Sequence, residues 1–204
     1  MDFVSLAMQC APMVAPLTMA AIVKTESGFN PLAIGVNGGA RLVRQAETVA
    51  EAVVTAKWLL ERGYNIDLGL GQVNSNNLSK TGLTVEDAFD PCKNLAAAAS
   101  ILQGNFQAAK ARTPDDQAAL HAAVSAYNTG SFTKGFQNGY VQKVVSNAGS
   151  TVPVVAPIPL IRKAAGPQRA QAKGQAPVRL SAGEPEQGAD SNVFGTDTRR
   201  VLVY

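Results

Sequence analysis

Glu26 is the residue of this sequence whose surroundings best suit acid–base chemistry. Met19, Ile22 and Val23 precede it at helical spacing, so its carboxyl shares the apolar side of a predicted helix. Burial disfavours a charged carboxylate, and the carboxyl end of a helix adds to that effect, so we expect a raised pKa for Glu26. A carboxyl that stays protonated near neutral pH is what a general acid needs. A buried or half-exposed glutamate paired with an arginine would explain the same pattern.

Two further segments carry side chains suited to binding a sugar. The first, Gly-Leu-Gly-Gln-Val-Asn at 69–74, places the amides of Gln72 and Asn74 on one side if it is extended. The second, Ala-Tyr-Asn-Thr-Gly at 126–130, ends a predicted helix with Tyr127, whose ring can stack on a sugar and whose hydroxyl can bind it. Taken singly, a tight turn and a helix C-cap explain these segments equally well.

The composition argues against several other kinds of chemistry. The 204 residues contain two cysteines and one histidine, with no cluster at the spacing of metal ligands, so we predict no metal site and no cofactor. The formal net charge of +3 is too small to predict a nucleic-acid partner. No apolar run reaches the roughly 18–20 residues of a membrane-spanning helix, so we predict no stable membrane insertion.

Helices separated by Gly, Asn and Pro must position these side chains. Thr48 with Glu51 forms a predicted capping box, and Asp90-Pro91 forms a predicted helix start. Between the first two helices, residues 35–44 suggest a small β-hairpin. We therefore predict a mainly α fold. The helices are expected at about residues 16–27, 48–63, 90–111, 113–130 and 137–147.

The two ends of the chain differ from its middle. Residues 151–204 hold six of the eleven prolines and the whole net charge of +3, and such a composition cannot bury enough apolar surface to fold. We predict a domain over 1–147 and a disordered tail over 148–204. The apolar end of the tail, Val201 to Tyr204, could add a strand to a partner or simply be solvated. The apolar N-terminus has Asp2 where a signal peptide needs a basic residue, so it is interpreted as mature protein.

Several short motifs, in this order, resemble the soluble-lytic-transglycosylase domain, a lysozyme-related fold that cleaves peptidoglycan. The long stretch between Glu26 and Gln72, with its additional helix, and the Pro-rich tail narrow the resemblance to the transglycosylase component of type IV secretion systems. The resemblance covers about residues 10–147. The motifs are Glu-Ser-Gly-Phe-Asn-Pro at 26–31, Gly-Leu-Gly-Gln at 69–72, Ala-Tyr-Asn-Thr-Gly at 126–130 and Tyr-Val-Gln-Lys-Val at 140–144.

The resemblance implies a mechanism with one carboxyl. Glu26 would cleave the bond between N-acetylmuramic acid and N-acetylglucosamine and leave a 1,6-anhydro end. Gln72 and Tyr127 would bind substrate, with weaker expectations for Asn74 and Asn128. The remaining motif residue, Ser27, would bond the backbone or orient the carboxyl of Glu26.

The resemblance also implies a location and partners. We expect the periplasm or envelope of a Gram-negative bacterium, with glycan strands and secretion-system subunits as partners, the latter through the tail. In that compartment Cys10 and Cys92 would form either a disulfide or two buried thiols.

Two alternative functions stay open at this point. Asp67, two residues before the glycine-rich segment, would allow hydrolysis with water if it faced Glu26, which would make the protein a muramidase; otherwise it caps a loop. A weakly active assembly factor that holds the wall or secretion subunits would also explain the tail.

Overall fold

The structure, a computed structural model, describes residues 2–150. It is mainly helical with one small antiparallel sheet, so the predicted fold class is confirmed. The predicted tail lies outside the described residues apart from its first three. The elements are α1 (Phe3–Cys10), α2 (Pro16–Glu26), β1 (Ile34–Val36), α3 (Val49–Glu61), β2 (Ile66–Leu68), β3 (Val73–Asn74), α4 (Leu78–Thr81), α5 (Pro91–Lys110), α6 (Asp116–Thr129), α7 (Lys134–Gln137) and α8 (Tyr140–Ser150).

The two long helices α5 and α6 begin at side chains that cap them. The Asp90 carboxylate accepts a hydrogen bond from the Lys93 amide at 2.8 Å, and that of Asp115 accepts one from the Ala118 amide at 2.6 Å. These bonds satisfy amides that have no partner within the helix. Helix α6 ends at Gly130, which adopts the left-handed conformation with φ +66°. The predicted start of α5 is therefore confirmed, whereas α6 begins at Asp116, three residues after the predicted start at 113.

The capping box predicted for α3 forms only in part. Thr48 Oγ1 accepts a hydrogen bond from the Glu51 amide at 3.1 Å, as expected. The Glu51 carboxylate does not return to the amide of Thr48; it accepts from the amide of Glu47 and pairs with Arg44. The first residue of α3, Val49, is exposed.

The hairpin predicted over residues 35–44 is wrong. Strand β1 pairs with β2, with Ile34 opposite Leu68, and β2 pairs with β3. The other edge of β1 is covered by the side chain of Gln45, which accepts from the Ile34 amide at 2.8 Å and donates to the Ile34 carbonyl at 3.1 Å. One side chain thus satisfies the edge that the predicted second strand would have paired.

The core is built around α5, which packs against α6 and α1. One apolar face of α5 is buried and consists of Leu95, Ala98, Ala99, Leu102 and Phe106. Among residues 2–150, no helix is both long and apolar enough to cross a membrane.

Helix α1 was not predicted from the sequence. Asp2 caps it by accepting from the Ser5 amide at 3.0 Å, and Ala7 is fully buried. A disulfide joins Cys10, its last residue, to Cys92 in the first turn of α5, with 5.1 Å between the two Cα atoms. The N-terminal residues therefore belong to the folded domain.

Candidate active site

Glu26 lies at the end of α2, where one face of α8 packs against it. The hydroxyl of Tyr140 donates a hydrogen bond to Glu26 Oε1. Two turns further along α8, Asn147 Nδ2 donates to Thr25 Oγ1 at 2.8 Å. These two bonds hold the end of α2 on α8 and orient the Glu26 carboxyl.

The electrostatic environment raises the pKa of Glu26 to about 7. Burial is the largest cause, and the negative charge of Asp67 acts in the same direction. The hydrogen bond from Tyr140 and the positive charge of Lys143 lower the pKa and offset part of the effect. Near pH 7 the carboxyl is therefore divided between its protonated and ionised forms, which suits a group that must first donate and then accept a proton.

Asp67 lies in the middle strand of the sheet rather than in a loop, which corrects one of the two interpretations of this residue. Its Oδ2 accepts a hydrogen bond from Asn37 Nδ2 at 2.9 Å, and its Oδ1 accepts one from Asn74 Nδ2 at 2.7 Å. Both amides also donate to Asn65 Oδ1. The polar side chains of one sheet face thus fix a carboxylate within electrostatic reach of Glu26.

Gln72 does not have the extended conformation on which its predicted orientation depended. Its φ is +47°, in the left-handed region. The Nε2 amide donates to the carbonyls of Ala33 at 3.1 Å and Gly69 at 2.9 Å. Its Oε1 lies over Gly35, where an added Cβ would approach it to 2.7 Å. Gln72 therefore fastens the glycine-rich turn to the residues that precede β1, and substrate binding by its amide stays a prediction.

Tyr127 reaches the same turn from α6. Its hydroxyl donates to the Gly71 carbonyl at 2.6 Å. Burial raises the pKa of Tyr127 well above its ordinary value, and the negative charges of Glu26 and Asp67 add to the shift. The phenol therefore remains a hydrogen-bond donor and here donates to the backbone, while contact of Tyr127 with a sugar stays a prediction.

Asn94 is a positioning residue that sequence reasoning did not place at the site. It is fully buried in α5. Its Oδ1 accepts from the Gly71 amide at 2.7 Å, and its Nδ2 donates to the carbonyls of Leu68 and Ala88, each at 2.8 Å. The available signal was a lone amide within the apolar first turns of α5. All three bonds hold the chain around the glycine-rich turn.

The remaining predicted site residues, Ser27 and Asn128, make local hydrogen bonds. Ser27 Oγ donates to the Val23 carbonyl at 3.2 Å, so its hydroxyl bonds the backbone. Asn128 is exposed and accepts from Asn138 Nδ2 at 3.2 Å. Sequence reasoning did not name Tyr140 as a site residue, although its place in the last motif was the signal that could have found it.

The Transglycosylase SLT domain family matches residues 3–148 of the chain. The chain belongs to this family. The resemblance drawn from the short motifs is thereby confirmed, and as a member of the family the chain is a peptidoglycan lytic transglycosylase.

Two relatives illustrate how far the similarity of this SLT transglycosylase extends. The chain is 52% identical over 167 residues to the Type IV secretion system protein virB1 of Brucella suis, covering 79% of this chain and 70% of that protein. It is 46% identical over 153 residues to Protein virB1 of Agrobacterium fabrum, covering 74% of this chain and 61% of that protein. No solved structure matches it.

Proposed function

We propose that this transglycosylase cleaves the β-1,4 bond between N-acetylmuramic acid and N-acetylglucosamine, with Glu26 as both general acid and general base. The observation that carries the proposal is the half-buried Glu26 carboxyl, whose pKa is raised to about 7 and whose Oε1 accepts from Tyr140. A carboxyl with this pKa can donate a proton and then accept one at the same pH.

The reaction consumes no water, because the substrate's own C6 hydroxyl replaces it as the nucleophile. Protonated Glu26 gives its proton to the glycosidic oxygen as the bond from that oxygen to C1 of the muramic acid breaks. The Glu26 carboxylate then removes the proton from the C6 hydroxyl of the same sugar, and the C6 oxygen bonds to C1. The product has a 1,6-anhydro end, and Glu26 is protonated again. The acetamido group of the sugar stabilises the positive charge at C1, so a second nucleophilic carboxylate is not required.

The other site residues support this step from the protein side. Tyr140 orients the acid, while Gln72 and Tyr127 hold the glycine-rich turn, and Asn74 holds Asp67. Direct contacts of Gln72, Asn74, Tyr127, Asn128 and Ser27 with the glycan are part of the proposal.

Asp67 favours hydrolysis as a second candidate reaction. Most glycosidases use two carboxylates, and Asp67 is a second carboxylate whose charge acts on Glu26. If Asp67 activates a water molecule, that water attacks C1, and the product has a reducing end instead of an anhydro end.

Product analysis separates these reactions. Purified peptidoglycan is digested with the full chain and with its Glu26→Gln variant, and the muropeptides are identified by mass spectrometry. We expect anhydro-muramyl ends from the wild type alone. Reducing ends would contradict the transglycosylase mechanism and support the muramidase. No cleavage by folded wild-type protein would contradict both and favour an assembly factor.

We propose that the cleavage opens the wall locally for a type IV secretion system. The similarity to proteins named for that system supports this role. The Cys10–Cys92 disulfide suits an oxidising compartment, here the periplasm of a Gram-negative bacterium. Binding of secretion subunits by residues 148–204 is part of the proposal.

The test of this role compares two variants in a secretion assay. We expect both Glu26→Gln and deletion of residues 151–204 to reduce secretion. Normal secretion by Glu26→Gln, with loss on deletion of the tail, would contradict the enzymatic role and support assembly alone.

A further inference from the structure

Two non-glycine residues of the described chain have a left-handed backbone, and both lie in the segments that form the site. They are Gln72, with φ +47°, and Phe29, with φ +67°. The conformation of Gln72 is explained by its two hydrogen bonds to backbone carbonyls. Phe29 has no such bonds, and a bulky side chain disfavours this conformation. Strain of this kind, three positions after the candidate acid Glu26, points to a functional role for Phe29.

Burial does not fully account for the strain at Phe29, because 39% of the residue remains exposed. The turn around it is fixed on both sides. The Asn30 amide donates to the Ser27 carbonyl at 3.2 Å, and Asn30 Oδ1 accepts from the Leu32 amide at 2.9 Å. The ring is therefore presented at a fixed point three residues after Glu26.

A second aromatic ring supports Phe29 from the protein side. Phe3, which is partly buried in α1, meets it edge-on, with 5.0 Å between ring centroids and 66° between ring planes. The Cys10–Cys92 disulfide in turn fixes α1 to α5. Phe29 is thus a rigid aromatic surface that is packed on one side and open on another. Sugar rings pack their C–H groups on such surfaces.

We propose that Phe29 is a stacking platform for an N-acetylhexosamine ring of the glycan strand, forming a sugar subsite beside Glu26. This inference rests on the proposed function for the class of its ligand. The competing role is an apolar anchor that only holds α1 through Phe3. Leucine in place of Phe29 keeps apolar volume for an anchor but removes the aromatic face that a platform needs.

Binding of chitohexaose, a β-1,4-linked hexamer of N-acetylglucosamine, tests the platform. Its Kd is measured by calorimetry for the full chain and for Phe29→Leu and Phe29→Trp. We expect Phe29→Leu to raise the Kd about fivefold, and we expect Phe29→Trp, which keeps an aromatic ring, to bind as the wild type does. Trp58→Leu is the matched control, because Trp58 is also exposed (48%) but Arg62 already covers its ring at 4.0 Å. Its Kd should equal that of the wild type.

Three results would overturn the platform. They are a wild-type Kd for Phe29→Leu, a raised Kd for Phe29→Trp, and no binding of chitohexaose by the wild type. Nuclear magnetic resonance of the wild type gives a test that does not depend on a variant folding. The ring protons of Phe29 should shift on addition of chitohexaose, and unchanged shifts would also overturn the proposal.

A parallel peptidoglycan digest separates the two proposals. If the protein cleaves peptidoglycan but Phe29→Leu binds chitohexaose with the wild-type Kd, the stacking proposal is contradicted and the proposed function stands. If the protein does not cleave peptidoglycan but its chitohexaose binding depends on Phe29, the proposed function is contradicted and the stacking proposal stands.

Discussion

At the scale of single residues, Glu26 lies between charges of opposite sign. The charge of Asp67 in the sheet raises the pKa of Glu26, and the charge of Lys143 in α8 and the hydrogen bond from Tyr140 lower it. The acid form of Glu26 is lost as pH rises through its pKa of about 7. Activity should therefore fall as pH rises through this pKa. The pH at which it falls, the high-pH limb of activity, should depend on each of these neighbours.

Asp67→Asn should move the high-pH limb of activity to lower pH. The variant removes a negative charge that raises the pKa of Glu26, so we expect a shift of roughly 0.5 pH unit. The measurement is kcat/KM on purified peptidoglycan from pH 5 to pH 9. The control is Asp115→Asn, which removes the same charge about 18 Å along α6 from Tyr127 and keeps a residue type suited to the helix cap. An unmoved limb, or an equal shift in the control, would contradict the coupling.

Glu26 should also make the protein less stable as pH rises. Its pKa is 4.5 in the unfolded chain and about 7 in the folded protein. The stability linked to its proton is therefore complete below pH 4.5 and lost as pH rises through 7. Glu26→Gln stays neutral, so we expect its free energy of unfolding to exceed that of the wild type by about 1–2 kcal/mol at pH 8 and to equal it at pH 4.

Urea denaturation at pH 4 and pH 8 measures this difference. The matched control is Glu61→Gln, because Glu61 is likewise the last residue of its helix, α3, but is exposed. The same gain at both pH values would show that the glutamine stabilises by packing rather than by removing a buried charge.

At the scale of elements, local signals predicted helices and missed the sheet. Capping residues and apolar spacing found α5 and α6 because both signals lie within one helix. The pairing of β1 with β2 joins segments about thirty residues apart, so no local pattern predicts it. The Gln45 side chain that covers the edge of β1 likewise follows from no periodic pattern in the sequence. Helix α1 was not predicted because its apolar residues also fit the apolar segment of a signal peptide.

The glycine-rich turn between β2 and β3 should depend on Asn94. Asn94→Ala leaves the Gly71 amide and the carbonyls of Leu68 and Ala88 without their partner inside the core. We expect a loss of about 3 kcal/mol in the free energy of unfolding. Chemical denaturation measures it, with exposed Asn76→Ala as the control. A loss below about 1 kcal/mol would mean that water or a shifted backbone replaces these bonds.

At the scale of the whole molecule, the candidate site is assembled from parts far apart in sequence. The Tyr140–Glu26 hydrogen bond spans 114 positions and the Tyr127–Gly71 bond spans 56. The helical spacing of apolar residues predicts that Glu26 lies on an apolar helix face. It cannot predict a contact with Tyr140, which lies far away in the sequence. Only the order of the motifs, through the resemblance to a family, indicated that these segments form one site.

The disulfide should stabilise this assembly without taking part in the chemistry. The Cys10–Cys92 bond closes a loop of 82 positions that includes α2, the sheet and Glu26. Replacing both cysteines by serine should lower the free energy of unfolding by about 4.5 kcal/mol through the greater entropy of the unfolded chain. Neither sulfur bonds a site residue, so the high-pH limb of activity should stay in place while the urea midpoint falls. If that limb moved instead, the bond between α1 and α5 would have to set the environment of Glu26 directly.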